Sequence, residues 1–146
     1  MSDWHRAPLN ELHASLCRGD IAVADLVRHY LDRITPHNSS INALVHVAGD
    51  YALEQAERAQ QSISAEGKPP LTGIPSADKD LVARAGMPTG YGSLTSKGLP
   101  VATASDPMAL WLDQVGAISV GKTATSEFGM SASTESLATG ETRNPH

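Results

Sequence analysis

The chain has one cysteine in 146 residues, so no disulfide can form within it. Cys17 falls on the apolar side of a segment with helical periodicity and reads as a core residue, not a reactive thiol. Metal-binding spacing is also missing. Six histidines occur, but there is no H-E-x-x-H and no cysteine pair, which leaves a metal site without support. His5, His13, His29 and His37 read as solvated or half-buried side chains. No apolar stretch follows Met1-Ser2-Asp3-Trp4-His5-Arg6, and no run approaches the roughly 18 residues of a membrane span. A cytoplasmic protein without leader or anchor is therefore expected. Asn38-Ser39-Ser40 matches a glycosylation acceptor, but without a leader it reads more simply as a loop after Pro36. The net charge of −5, with acids and bases interspersed, argues against nucleic-acid binding. A nucleophile elbow, G-x-S-x-G, is absent; Gly129-Met130-Ser131-Ala132-Ser133 comes nearest and lacks the closing glycine.

What remains is an ordinary globular composition, 40% apolar, long enough for one domain with a real core. No internal repeat, charge run or linker divides it. Leu9, Leu12 and Leu16 form an apolar stripe closed by Gly19. Val23, Leu26, Val27, Tyr30, Leu31 and Ile34 follow at helical spacing, with Pro36 just past the end. Ala43 to Val47 reads as a short strand. Asp50 is placed to cap a helix with Leu53, Ala56, Ala59 and Ile63 on one face, broken by Gly67-Lys68-Pro69-Pro70. Residues 86–107 are rich in Gly, Thr, Ser and Pro and read as loop. Asp106-Pro107 opens a helix holding Met108, Leu112 and Val115, since proline is favoured at the first helical position. Ala117 to Val120 is a strand-like run. The alternation of helix and strand points to an α/β fold.

Two short patterns suggest chemistry. Gly116-x-x-x-x-Gly121-Lys122-Thr123 matches a phosphate loop, which must follow a strand and open a helix. Here a helix precedes Gly116 and the residues between the glycines favour a strand. Gly116 is better explained as a helix C-terminal cap, and Lys122 as structural or as a residue that supports a site from behind. Ser76-x-x-Lys79 matches a serine–lysine pair, which works only on a helix, where residues three apart share a face. Ser76 could cap such a helix and Gly86 could end it. The partner motif fails, however, because Ala124 follows Lys122-Thr123.

The run Leu71-Thr72-Gly73-Ile74-Pro75-Ser76-Ala77-Asp78-Lys79-Asp80-Leu81 is followed by Gly116-Ala117-Ile118-Ser119-Val120-Gly121-Lys122-Thr123, then by Glu127-Phe128-Gly129-Met130 and Thr142-Arg143-Asn144-Pro145. In this order and spacing the blocks resemble the start of the amidase signature family; Gly86-Met87-Pro88-Thr89 and Tyr91-Gly92-Ser93 fit its loop after the lysine. The resemblance implies the N-terminal portion of an α/β fold with a mixed central sheet flanked by helices, residues 1–146 being one incomplete piece of a single domain. It makes Lys79 the base of a serine, cis-serine, lysine triad whose serines lie in a Gly/Ser-rich segment after the Asn-Pro. The chain stops at His146, before that segment. It is expected to be inactive alone, and to self-associate or need a complementary chain. The implied substrate is a small-molecule amide, with no cofactor. Gly129, Met130 and Ser131 would line the acyl pocket. Ser131 stands where the amidotransferase relatives that act on aminoacyl-tRNA often have Gly in their A subunits, which favours a free-standing amidohydrolase over a component of such a complex.

The same resemblance makes residues 75–80 a strand, so that Pro75, Ala77 and Lys79 face one way and Ser76, Asp78 and Asp80 the other. A lysine base must be neutral near pH 7, well below the value of about 10.4 for a free lysine. Burial lowers a lysine pKa and a nearby carboxylate raises it, so alternation keeps both flanking acids off the lysine's face. Asp78 stands where the family usually has an apolar residue.

Overall fold

A computed structural model describes residues 3–64 and 66–146. The leucine stripe forms α1 (Leu9–Arg18), which ends on Gly19 in the left-handed conformation. Helix α2 (Val23–Ile41) buries Val23, Leu26 and Val27. No side chain of its own caps its start; the Val23 N–H is met instead by Gln60 Oε1 at 2.8 Å, from the next helix. Strand β1 (Leu44–Val47) follows, then α3 (Gly49–Ser62). Strand β2 (Pro75–Lys79), α4 (Pro107–Gln114) and β3 (Ile118–Thr123) complete the main body. A two-residue ladder pairs β4 (Glu135–Ser136) with β5 (Gly140–Glu141).

Three expectations need correction. Pro36 lies inside α2, not after it, so Asn38-Ser39-Ser40 is helical. Proline removes one N–H and crowds one turn, but the helix continues past it to a tethered end. Asn38 Oδ1 accepts the N–H groups of Ala43 and Leu44, and Asn42 takes the left-handed conformation that stops the helix. Asp50 is not the cap of α3. Ala48 is, and Asp50 sits in the first turn, where a negative charge still suits the helix dipole. Finally, α4 buries Ala109 and leaves Met108 exposed. The Asp106 carboxylate caps nothing on α4; it accepts the Ala83 N–H at 2.7 Å and ties down the long loop.

The sheet runs β1-β3-β2, with β1 antiparallel and β2 parallel to β3. This is the mixed sheet expected. Ile118 and Val120 join Leu16, Leu26, Ala52 and Ala56 in one buried cluster, with Ala77 packed beside them, so α1, α2 and α3 cover one face of the sheet. Gly116 closes α4 at φ +85, and Ala117 N–H reaches back to Leu112 O at 3.0 Å. The order is helix, glycine, strand, and Ile118, Ser119 and Val120 belong to β3. That is the reverse of a phosphate loop.

Register breaks where β3 carries an extra residue. Ser76 pairs with Ser119, but Asp78 pairs with Lys122, so three steps on β3 match two on β2. Gly121 lies in this bulge at φ +150. A side chain there would overlap the His46 carbonyl oxygen of β1. Glycine is required by that close approach.

Candidate active site

Along β2 and just beyond it, Asp78 is buried, Lys79 is exposed and Asp80 is buried. That is the alternation of a strand, and it overturns the helical serine–lysine reading. Three residues apart on a strand means opposite faces, and the Ser76 hydroxyl donates to Ile118 O at 3.4 Å.

Each flanking acid has a cation of its own. Asp78 accepts from Arg84 Nε at 2.5 Å, from Arg84 Nη2 at 3.3 Å and from Ser119 Oγ at 2.9 Å. Arg84 is only 1% exposed. Its Nη1 also donates to Asp113 Oδ1 at 2.6 Å and to Tyr51 Oη at 3.2 Å, with the guanidinium over the Tyr51 ring. Burial works against that charge, but hydrogen bonds and charge from Asp78 and Asp113 prevail and hold the guanidinium above its ordinary range. Asp80 accepts the Gly90 N–H with both oxygens, at 3.1 and 3.0 Å, and lies 3.8 Å from Lys122 Nζ. Burial pushes the Asp80 carboxyl up, against the pull of the Gly90 bond and the Lys122 charge. Burial pushes the Lys122 ammonium down, while Asp80 and Asp78 pull it back up.

A relay of backbone hydrogen bonds then leads from the end of β2 to the second expected site segment. Asp80 N–H donates to Thr123 O at 2.9 Å, Tyr91 N–H to Asp80 O at 3.0 Å, and Phe128 N–H to Tyr91 O at 2.8 Å. Tyr91 (φ +53) and Phe128 (φ +50) are both left-handed, and their rings stack at 6.4 Å. Non-glycine residues in that region carry strain of about 1–3 kcal/mol each and concentrate at functional sites. The strained pair places the turn at Gly129, Met130 and Ser131 against the chain just after Lys79. A side chain added at Gly129 would come within 2.8 Å of a Leu81 methyl. Ser126 Oγ closes the turn by accepting the Ser131 N–H at 3.1 Å, and Met130 is 86% exposed. The Thr125 hydroxyl, buried beside the turn, has no hydrogen-bond partner among the described residues.

The described residues contain no group of three or more His, Cys, Asp or Glu side chains that could hold a metal ion. Among them there is also no helix long and apolar enough to cross a membrane.

The Amidase family profile matches residues 25–146. The chain belongs to the amidase signature family. The A subunit of the glutamyl-tRNA(Gln) amidotransferase from Desulforapulum autotrophicum is 39% identical over 143 residues, which is 98% of this chain and 29% of the relative. Among solved structures, a chain from a vestigial protein complex, described as revealing the evolutionary origins of an s-triazine catabolic enzyme, superposes with a TM-score of 0.91 at 29% identity, covering 96% of this chain and 31% of that one. The peptide amidase of Stenotrophomonas maltophilia gives a TM-score of 0.84 at 29% identity, covering 96% and 30%. The chain thus spans under a third of the length of the relatives it matches.

Sequence alternation places Asp78 and Asp80 away from Lys79 but does not show what receives them. Arg84 escapes it because it lies in the loop beyond the strand. One signal is available: two acids on the inward side of a strand demand buried cations, and Arg84 and Lys122 are the nearby candidates.

Proposed function

We propose that these residues are the lysine-bearing first portion of one amidase domain, cytoplasmic and without a cofactor, in which Lys79 is the general base for acyl transfer from an amide. The observation that carries this reading is the division of charge across β2. Asp78 and Asp80 are buried against Arg84 and Lys122, while Lys79 alone stays exposed, two residues before the Leu81 that abuts Gly129. A base needs access to the proton it takes and freedom from a carboxylate that would keep it charged; the burial that lowers its pKa would come from the segment that supplies the serines.

In this reading a serine supplied by the family's Gly/Ser-rich segment attacks the amide carbonyl. Its proton passes through the middle serine to Lys79. The adduct collapses to an acyl-serine, and the same proton returns through Lys79 to the leaving amine. Water then attacks the acyl-serine, Lys79 again accepting and returning the proton, and the acid is released. Gly129, Met130 and Ser131 line the acyl side. The serines come from outside these 146 residues, on the same polypeptide or a complementary chain, so residues 1–146 alone are inactive.

A second reading has its own support. The 39% identity to an amidotransferase component favours a role in which ammonia released from one amide is passed to an acyl acceptor within an assembly. Ser131 supports the free-standing hydrolase instead.

The test is a chimera in which residues 1–146 replace the matching first portion of the Stenotrophomonas maltophilia peptide amidase. The chimera should release ammonia from simple amides, and Lys79→Ala should lower kcat on the order of 10⁴-fold or more. Residues 1–146 alone should give no turnover above background. Turnover unchanged by Lys79→Ala refutes the assignment. Turnover of glutamine alone, among a panel of amides, favours the amidotransferase reading.

A further inference from the structure

Lys122 is 0% exposed, and a buried ammonium is among the costliest groups a fold can carry unless every proton is met. Its partners all come from one stretch of chain. Nζ donates to the Val82 carbonyl and to Thr89 Oγ1, the latter at 3.1 Å, and lies 3.8 Å from Asp80 Oδ1. Val82 and Thr89 stand at the two ends of the reversal that leaves β2, and Asp80 fastens the same reversal through the Gly90 N–H. From there the relay through Tyr91 to Phe128 sets the turn beside Leu81.

The bulge at Gly121 is what aims the lysine. In an unbroken strand Ser119 and Lys122, three apart, would point to opposite faces. The extra residue brings both to the side of Asp78 and Asp80: Ser119 bonds Asp78 and Lys122 meets Asp80. The strand therefore departs from regular pairing at the position that delivers an ammonium under the Lys79 segment.

We propose that Lys122 is a positioning residue for the candidate base. It gathers both ends of the 80–90 reversal beneath the sheet, and so fixes the end of β2 that presents Lys79 and the turn that faces it. This rests on the reading of Lys79 as base, but the geometry can be tested without catalysis. An apolar side chain of similar length fills the same volume yet leaves the Val82 carbonyl and the Thr89 hydroxyl without this donor and Asp80 without its cation, so a packing role and a positioning role separate.

The experiment is amide hydrogen exchange by NMR on residues 1–146. Loss of the bonds that hold the reversal should speed local exchange roughly tenfold. Lys122→Met is expected to do so at Gly90, Tyr91 and Phe128 while Ala48, bonded to Val120 O, and Ile118, bonded to Ile74 O, change little. Lys122→Arg should restore slow exchange. Thr89→Val removes one partner without stranding a charge, should act in the same direction, and decides the question alone if Lys122→Met does not fold. Val120→Ala is the control for general destabilisation, in which all these amides speed up together. Exchange that rises uniformly in the Lys122 and Thr89 variants, as in Val120→Ala, overturns the proposal. So do wild-type rates at Tyr91 and Phe128. Local loosening combined with a chimera indifferent to Lys79→Ala would uphold the positioning of this segment and reject Lys79 as the base.

Discussion

Replacing Arg84 with methionine keeps most of the buried volume and removes the charge. The guanidinium gives up two bonds to Asp78 and one each to Asp113, Tyr51 and the Ala109 carbonyl. The partners fare differently. Asp113 is 42% exposed and regains water, whereas the Asp78 side chain is 0% exposed and keeps only the Ser119 hydroxyl. Breaking a buried pair by removing one member costs about 3–5 kcal/mol, most of it from the stranded charge. Against a total of about 5–15 kcal/mol for a typical domain, that is a large share. For a chain of this size each kcal/mol moves Tm by about 2–4 °C, so Arg84→Met should lower Tm by roughly 10 °C. The double variant Asp78→Leu/Arg84→Met leaves no charge stranded. Ser119 Oγ still has the Gly121 carbonyl at 3.3 Å, and the double variant should recover most of the loss. Thermal and urea unfolding followed by circular dichroism measure both. A single variant within about 0.5 kcal/mol of wild type would show that Asp78 is not buried against Arg84 in solution. A double variant as unstable as the sum of its parts would show that the two residues act independently.

Gly121→Ala should be far costlier than Gly98→Ala. Both sites have positive φ, at +150 and +87, but an added side chain meets the His46 carbonyl at Gly121 and nothing within 4 Å at Gly98. Gly98→Ala should cost about 1–2 kcal/mol of backbone strain alone, and equal losses in urea unfolding would mean that β1 does not press on the bulge. Stability should also fall as pH drops below 6.5. Burial, then the Lys122 charge, hold His46 below its ordinary value of 6.5 against the opposing pull of Asp80. The unfolded chain then binds the proton first, so stability is lost as pH falls from 6.5 towards the folded value. His46→Gln should flatten that slope; because His5 is shifted the same way, His5→Gln serves as the comparison, and a slope removed only by the latter would exclude His46.

What the sequence discloses follows from the range of the forces involved. The stripe from Leu9 to Leu16, the proline that opens α4 and the glycine after it report local geometry, and each is readable from neighbours a turn away. The strand at Lys79 is different: Asp78, Lys79 and Asp80 are all charged, so no apolar alternation marks it, and the family resemblance alone predicts it. The boundary at Pro36 misleads because α2 runs on to the left-handed Asn42, and the chain beyond it is fastened back to the helix by the Asn38 side chain, which accepts the Ala43 and Leu44 N–H groups. The four-charge cluster is hidden for the same reason on a larger scale. Asp78 and Asp80 announce that cations are needed, yet one comes from the loop beyond β2 and the other from β3, turned inward by a bulge that periodicity cannot register. A resemblance carried by Lys79 directs attention to the exposed lysine. The desolvation cost lies with the buried one, whose ammonium is offset by the Val82 carbonyl, the Thr89 hydroxyl and the Asp80 carboxylate.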